Sequence, residues 1–236
     1  MDKPYCRFIG DVHGHQGRYV KLATEADYSI QVGDMGFNYD KLKSDLPYGR
    51  HWFLGGNHDN YTRGPCPTCG NSVSWCDKCR GRGWVYSEMP QHYLGDHGIV
   101  QIPKIGNVFF VRGAWSIDQA YRTPMLDWFE DEECDDATFE SALSCYQKCL
   151  PDIMVTHTCP RSIVPHVPFR RLFGKGIIET RTDKALDWML VAHRPKLWIF
   201  GHYHVSWTEK IDGTTFKCLN ELESFDLSQD FDAKAL

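Results

Sequence analysis

Residues 6–15 read CRFIGDVHGH: four residues suited to a buried strand, then a glycine turn carrying an aspartate and two histidines. The same grammar recurs along the chain. YSIQV (28–32) runs into GDMG at Gly33–Gly36, and HWFL (51–54) into GGNHD at Gly55–Asp59. DIMV (152–155) runs into VTHT at Val155–Thr158, and LWIF (197–200) into GHYH at Gly201–His204. Short apolar runs closed in this way are the pattern of buried strands that end in loops. Asp, His and Asn are the ligand types that bind first-row divalent metals. In open α/β sheets, chemistry gathers beyond the carboxyl ends of the strands. Five such strand ends therefore predict one convergent site.

Around this frame, strands are predicted near 6–10, 28–33, 51–55, 98–102, 107–112, 153–157, 197–201, 205–211 and 214–219. Helices are predicted near 16–26, 38–45, 136–149 and 180–193. Thr180 followed by Asp183 reads as a capping box, and Asp212-Gly213 as a hairpin turn. Early strand–helix alternation argues for parallel pairing, and the later hairpins add antiparallel strands. The expectation is an α/β fold of two packed mixed β-sheets flanked by helices.

At 236 residues with 42% apolar content, the chain can bury a sizeable core. It divides into a main domain, 1–220, interrupted by an insertion at 64–84, and an acidic, loosely ordered tail at 221–236. No apolar run is long enough for a membrane span, and MDKPYCRFIGD enters the first strand at once. A cytoplasmic protein is expected. The net charge of −5 argues against non-specific binding to duplex DNA. Glu130, Asp131, Glu132, Glu133, Asp135 and Asp136 read as a solvated acidic loop entering a helix. Arg161, Arg170, Arg171, Lys175 and Arg181 form a basic stretch after VTHT.

Taken in order, the five motifs resemble those of the calcineurin-like metallophosphoesterases, from residue 6 to about residue 204. The resemblance implies two divalent ions, Mn, Fe or Zn. Asp11, His13, Asp34 and His204 would hold the first, and Asp34, Asn57, His157 and His202 the second. Asp34 would bridge, since a carboxylate has two oxygens and a charge that screens two cations. His58 would serve as general acid or transition-state stabiliser. Asp59 would orient that imidazole or cap a turn, and His15 is a candidate substrate contact. Hydrolysis would proceed by direct attack of hydroxide generated between the ions, without a phosphoenzyme.

The protein phosphatase branch of the family carries GDxxDRG and GNHE. Here the second motif continues as GDMGFNYD, the third is GNHD, and no arginine stands in the matching place. A phosphate-binding arginine must come from elsewhere. Arg112, in FFVRGAW, is the leading candidate, followed by Arg161 and Arg122.

The insertion carries Cys66-x-x-Cys69 and Cys76-x-x-Cys79, with six residues between the pairs. Paired CxxC motifs predict a structural Zn²⁺ held by Cys66, Cys69, Cys76 and Cys79. Two disulfides are the alternative, disfavoured in the cytosol. Arg63, Lys78, Arg80 and Arg82, with Trp75 and Trp84, make the insertion basic and aromatic. It could line the site or be only a stapled loop. Cys6, Cys134, Cys145, Cys149, Cys159 and Cys218 show no pairing pattern and read as small apolar residues.

The function expected is hydrolysis of phosphomonoesters or phosphodiesters, with a phosphorylated small molecule, a nucleotide or a nucleic-acid end as substrate. The alternatives are a phosphoprotein phosphatase, a non-catalytic scaffold on the same fold, and a zinc-dependent nucleic-acid-binding module.

Overall fold

The computed structural model describes residues 5–69, 84–168 and 179–228. One sheet contains β1 (Cys6–Ile9), β2 (Tyr28–Gln31), β3 (His51–Phe53) and the C-terminal strand β12 (Ser224–Leu227), in the order β12-β1-β2-β3. A two-stranded ribbon pairs β4 (Arg63–Pro65) with β5 (Trp84–Tyr86). The larger sheet contains β6 (His97–Ile102), β7 (Gly106–Val111), β8 (Ile153–Thr156), β9 (Leu197–Phe200), β10 (Trp207–Ile211) and β11 (Thr214–Cys218). Its order is β10-β11-β9-β8-β7-β6. The described helices include α1 (Gln16–Thr24), α2 (Asp40–Asp45), α3 (Asp136–Cys149) and α4 (Arg181–Ala192).

Strand periodicity builds the layers. In β7, Val108 and Phe110 join one core while Phe109 joins another; in β8 and β9, Val155 and Ile199 turn one way, Met154 and Trp198 the other. The first set meets Phe8, Ile30, Val32 and Leu54 from the smaller sheet. The second set meets Phe139, Ala142 and Tyr146 of α3 and Ala185, Leu186, Met189 and Leu190 of α4. On the far side, Ile9 and Phe53 pack on Tyr19 and Ala23 of α1 and Leu42 of α2. This is the expected α/β sandwich, with both sheets mixed. Each fully buried large side chain contributes roughly 1.5–3 kcal/mol. Trp198 also donates its indole N–H to Thr156 Oγ1 at 2.8 Å, so its polar edge is satisfied.

Two sequence expectations change in part. The segment after residue 220 is not merely a loose tail: Ser224–Leu227 pairs antiparallel with β1, and Phe225 and Leu227 pack on the inter-sheet core. The acidic stretch enters α3 and exposes Glu130, Asp135 and Asp136, as expected, but it is not solvated throughout. Glu132 is buried, Glu133 accepts hydrogen bonds from the Thr182 backbone and hydroxyl, and Asp135 caps α3 by accepting from Thr138 N. Of the insertion, only its roots are described. Cys66 is buried and Cys69 half-buried, whereas Cys76 and Cys79 lie outside the described residues, as do Arg170, Arg171 and Lys175. At those roots Arg63 lies over the Trp84 ring, 4.3 Å away, and pairs with Asp131, so its charge is already engaged.

The capping and turn expectations match what is seen. Thr180 accepts from Asp183 N at the start of α4, and Asp212 and Gly213 turn the β10–β11 hairpin with φ of 48° and 89°. Among the described residues, no helix is long and apolar enough to cross a membrane.

Candidate metal centre

β1, β2, β3, β8 and β9 each end at one of the polar motifs, and the parallel pairings put those ends on one edge of the sandwich. Asp11, His13, Asp34 and His204 offer ligand atoms that all lie within 4.8 Å of one another. The Nε2 atoms of His13 and His204 are 2.9 Å apart, and His204 Nε2 is 3.0 Å from Asp11 Oδ2. Asp34 Oδ2 lies 3.7 Å from His13 Nε2.

A second group adjoins the first. His157 Nε2 is 3.1 Å from Asp34 Oδ1 and 3.1 Å from Asn57 Oδ1, and His202 Nδ1 is 3.0 Å from the same Asn57 oxygen. The two oxygens of Asp34 thus face different groups. The donor atoms are carboxylate and amide oxygens and imidazole nitrogens, which suit divalent first-row ions. Two imidazole nitrogens aimed at each other across 2.9 Å are the arrangement a shared cation satisfies.

The backbone is strained to make this convergence. His13, Asp34, His202 and His204 have φ of 45°, 59°, 67° and 49°, a region costly for side chains with a Cβ. Hydrogen bonds hold them there. Asp34 O accepts from both Val12 N and His13 N, and His202 N donates to the Asp11 carboxylate. Gly56 is required by space: a Cβ there would stand 2.2 Å from Asp34 Oδ1 and 2.6 Å from His157 Nε2.

The electrostatics match a cation site. Burial pushes the Asp34 carboxyl up, but the imidazoles of His157, His58 and His13 outweigh it and hold it well below the usual range. Burial pushes His157 down, yet Asp34 reverses this and raises it to about 9. His202 is pushed down to about 3 by burial and then by His157. Ligation requires neutral imidazoles, so a cation held by His157 would displace any proton it shares with Asp34.

The His58 ring lies 4.9 Å from that of His13, and the His58 backbone N–H donates to Asp34 Oδ1 at 2.7 Å. Its Nε2 accepts from the guanidinium of Arg122. Arg122 also reaches the Asn57 carbonyl at 3.3 Å and Asp118 at 2.7 Å. Burial, then Arg122 and His13, lower the His58 pKa.

The family model for calcineurin-like phosphoesterases matches residues 7–206. The chain belongs to that family. It is a metal-dependent phosphoesterase, a family that uses divalent metals, and Asp11, His13, Asp34 and His204 form a possible metal site. Among curated proteins, none matches it. Similar solved structures include phosphopantetheinyl hydrolase from Mycobacterium tuberculosis, 14% identical, covering 93% of this chain and 90% of that one, with a TM-score of 0.46. Vacuolar protein sorting 29 from Cryptosporidium parvum is 13% identical over 93% and 76%, with a TM-score of 0.36. A predicted phosphoesterase from Streptococcus pneumoniae is 10% identical over 94% and 74%, with a TM-score of 0.34.

In this phosphoesterase the other candidate residues fall elsewhere. Asp59 is fully buried. Its carboxylate accepts from Asp34 N, Gly56 N and the Tyr39 hydroxyl, so it ties the second motif to the third. Burial and the nearby Asp34 raise its pKa to about 7. Arg112 does not offer its guanidinium to substrate. It is buried, paired with Asp96 at 2.8 Å, bonded to the Tyr86 hydroxyl and the Asp131 carbonyl, and stacked on Tyr61. Arg161 is half-exposed and pairs with Glu179. His15 is exposed, and its carbonyl accepts from Arg18 N and Tyr19 N at the start of α1. Arg122, ranked below Arg112 from the sequence, is the arginine that reaches the His58 ring. Ser116, bonded to Asn57, and Glu132, bonded to Ser116, carry no motif signal at all.

Proposed function

We propose that this phosphoesterase works with two divalent ions, the first held by Asp11, His13, Asp34 and His204, the second by Asp34, Asn57, His157 and His202. The observation that carries this is Asp34, whose two oxygens face two separate sets of nitrogen and oxygen donors. Divalent ions in these positions supply charge against the phosphoryl oxygens and acidify a nucleophilic water. The remaining work falls to the chain. Arg122, braced by Asp118 and the Asn57 carbonyl, leaves His58 to bind a phosphoryl oxygen. Once Arg122 has left, His58 Nε2 takes a proton from solvent and hands it to the leaving oxygen. Burial lowers the pKa of that imidazolium, so it gives the proton up readily. Asp59 keeps Asp34 and Gly56 in place and transfers no proton.

His204 and His13 are the more exposed ligands, with side chains 46% and 20% accessible. Substrate enters over that face. A terminal or small phosphoester, such as a nucleotide, a nucleic-acid end or a phosphorylated small molecule, fits this reading best. Cys66, Cys69, Cys76 and Cys79 hold a separate structural Zn²⁺, because thiolates close a tetrahedral zinc site without an open position. A screen of phosphomonoesters, cyclic nucleotides, oligonucleotides and phosphopeptides with added Mn²⁺ tests the substrate class. Turnover of small esters or nucleotides supports it; turnover of phosphopeptides alone contradicts it.

A further inference from the structure

Asn57 carries an amide whose two ends are chemically opposite, and only its oxygen can ligate a cation. Its orientation is fixed from behind. Asn57 Nδ2 donates to Ser116 Oγ at 3.0 Å. The Ser116 hydroxyl donates in turn to Glu132 Oε2, and the Ser116 backbone N–H donates to Glu132 Oε1 at 2.9 Å. All three residues are buried, with 4%, 0% and 3% of their surfaces exposed. An ionised carboxylate only accepts, so Glu132 accepts from the serine O–H, and the serine oxygen is left to accept from the amide. The chain of bonds has one direction. It ends with Asn57 Oδ1 between His157 Nε2 and His202 Nδ1.

We infer that Ser116 and Glu132 are positioning residues that hold the Asn57 amide oxygen toward the second ion. This rests on the two-ion reading above. Breaking the relay lets the amide rotate and present N–H groups to the cation. The first ion does not depend on Asn57, so its affinity is spared.

The same segment, 116–132, carries Arg122, which bonds His58 and the Asn57 carbonyl. One stretch of chain outside the motifs therefore holds both central residues of the third motif.

The test is Mn²⁺ titration of the full chain, after mild chelation, followed by calorimetry and electron paramagnetic resonance. Wild type should take two ions in the hydrolytic site. Ser116→Ala should weaken the second ion about 10- to 100-fold, as loss of an outer hydrogen-bond partner does, and leave the first unchanged. Glu132→Gln should act in the same direction. Asn57→Asp presents oxygen whichever way it turns, so adding Ser116→Ala to it should cost almost nothing further. That result separates positioning from general stability, which the melting temperature of the metal-free variants also monitors. Unchanged second-ion affinity in Ser116→Ala overturns the relay alone, and so does a loss of equal size whether or not Asn57→Asp is also present. A wild type that takes a single ion in this site overturns the two-ion reading and the relay with it.

Discussion

At the scale of single residues, the site is a set of costly choices. His13, Asp34, His202 and His204 all take left-handed backbone conformations, and each is a candidate ligand. That strain persists only because the surroundings over-determine it. His58 is the residue with work left to do after the ions are placed. His58→Ala should retain both ions and lower turnover about 100-fold or more for alkyl phosphates, the usual size of a lost general acid. For p-nitrophenyl phosphate, whose leaving group needs no proton, the loss should be much smaller. Steady-state kinetics on both substrates checks this, and equal losses would remove the proton-transfer role. The motif residues were legible because Asp, His and Asn at strand ends have few structural reasons to recur. Arg112 was misread because an arginine closing a strand looks the same whether it meets substrate or, as here, Asp96 and Tyr86. Ser116 and Glu132 could not be read, since a serine in a loop and a glutamate in an acidic run have no spacing that betrays a buried bond.

At the scale of elements, the start of α4 braces the loops that carry His157 and His202. Thr158 Oγ1 donates to Asp183 and also lies 2.9 Å from the hydroxyl of buried Tyr203. Burial, with Glu133 and Asp187 nearby, raises the Asp183 pKa from 3.8 to about 7. The folded state therefore holds a proton on Asp183 that the unfolded chain releases near pH 4. Stability from this group is full below that point and is lost as pH rises toward 7. Asp183→Asn should flatten that decline, so its melting temperature gains on wild type as pH rises from 4 to 8. A constant offset across that range would contradict the assignment. The zinc site proposed for the insertion is separable by experiment. Cys76→Ser should lose about one Zn²⁺ per chain, as expected for a closed four-thiolate site, and spare the hydrolytic ions. Elemental analysis decides this, and an unchanged zinc content would exclude the site.

At the scale of the whole molecule, the alternation of Val108, Phe109 and Phe110, or of Met154 and Val155, predicts two cores because each strand is apolar on both faces. Hence the sandwich was legible. The tail was not, because SFDL is too short and polar to read as a strand until β1 offers it an edge. Residues from several strand ends come together around Asp34. The central claim is that this carboxylate bridges two ions, and electron paramagnetic resonance of the Mn²⁺-loaded chain measures it most directly. The account predicts an exchange-coupled signal from two ions in the hydrolytic site, abolished together with activity in Asp34→Asn while the fold is kept. An uncoupled signal from a single Mn²⁺, or coupling and turnover that survive Asp34→Asn, would contradict it.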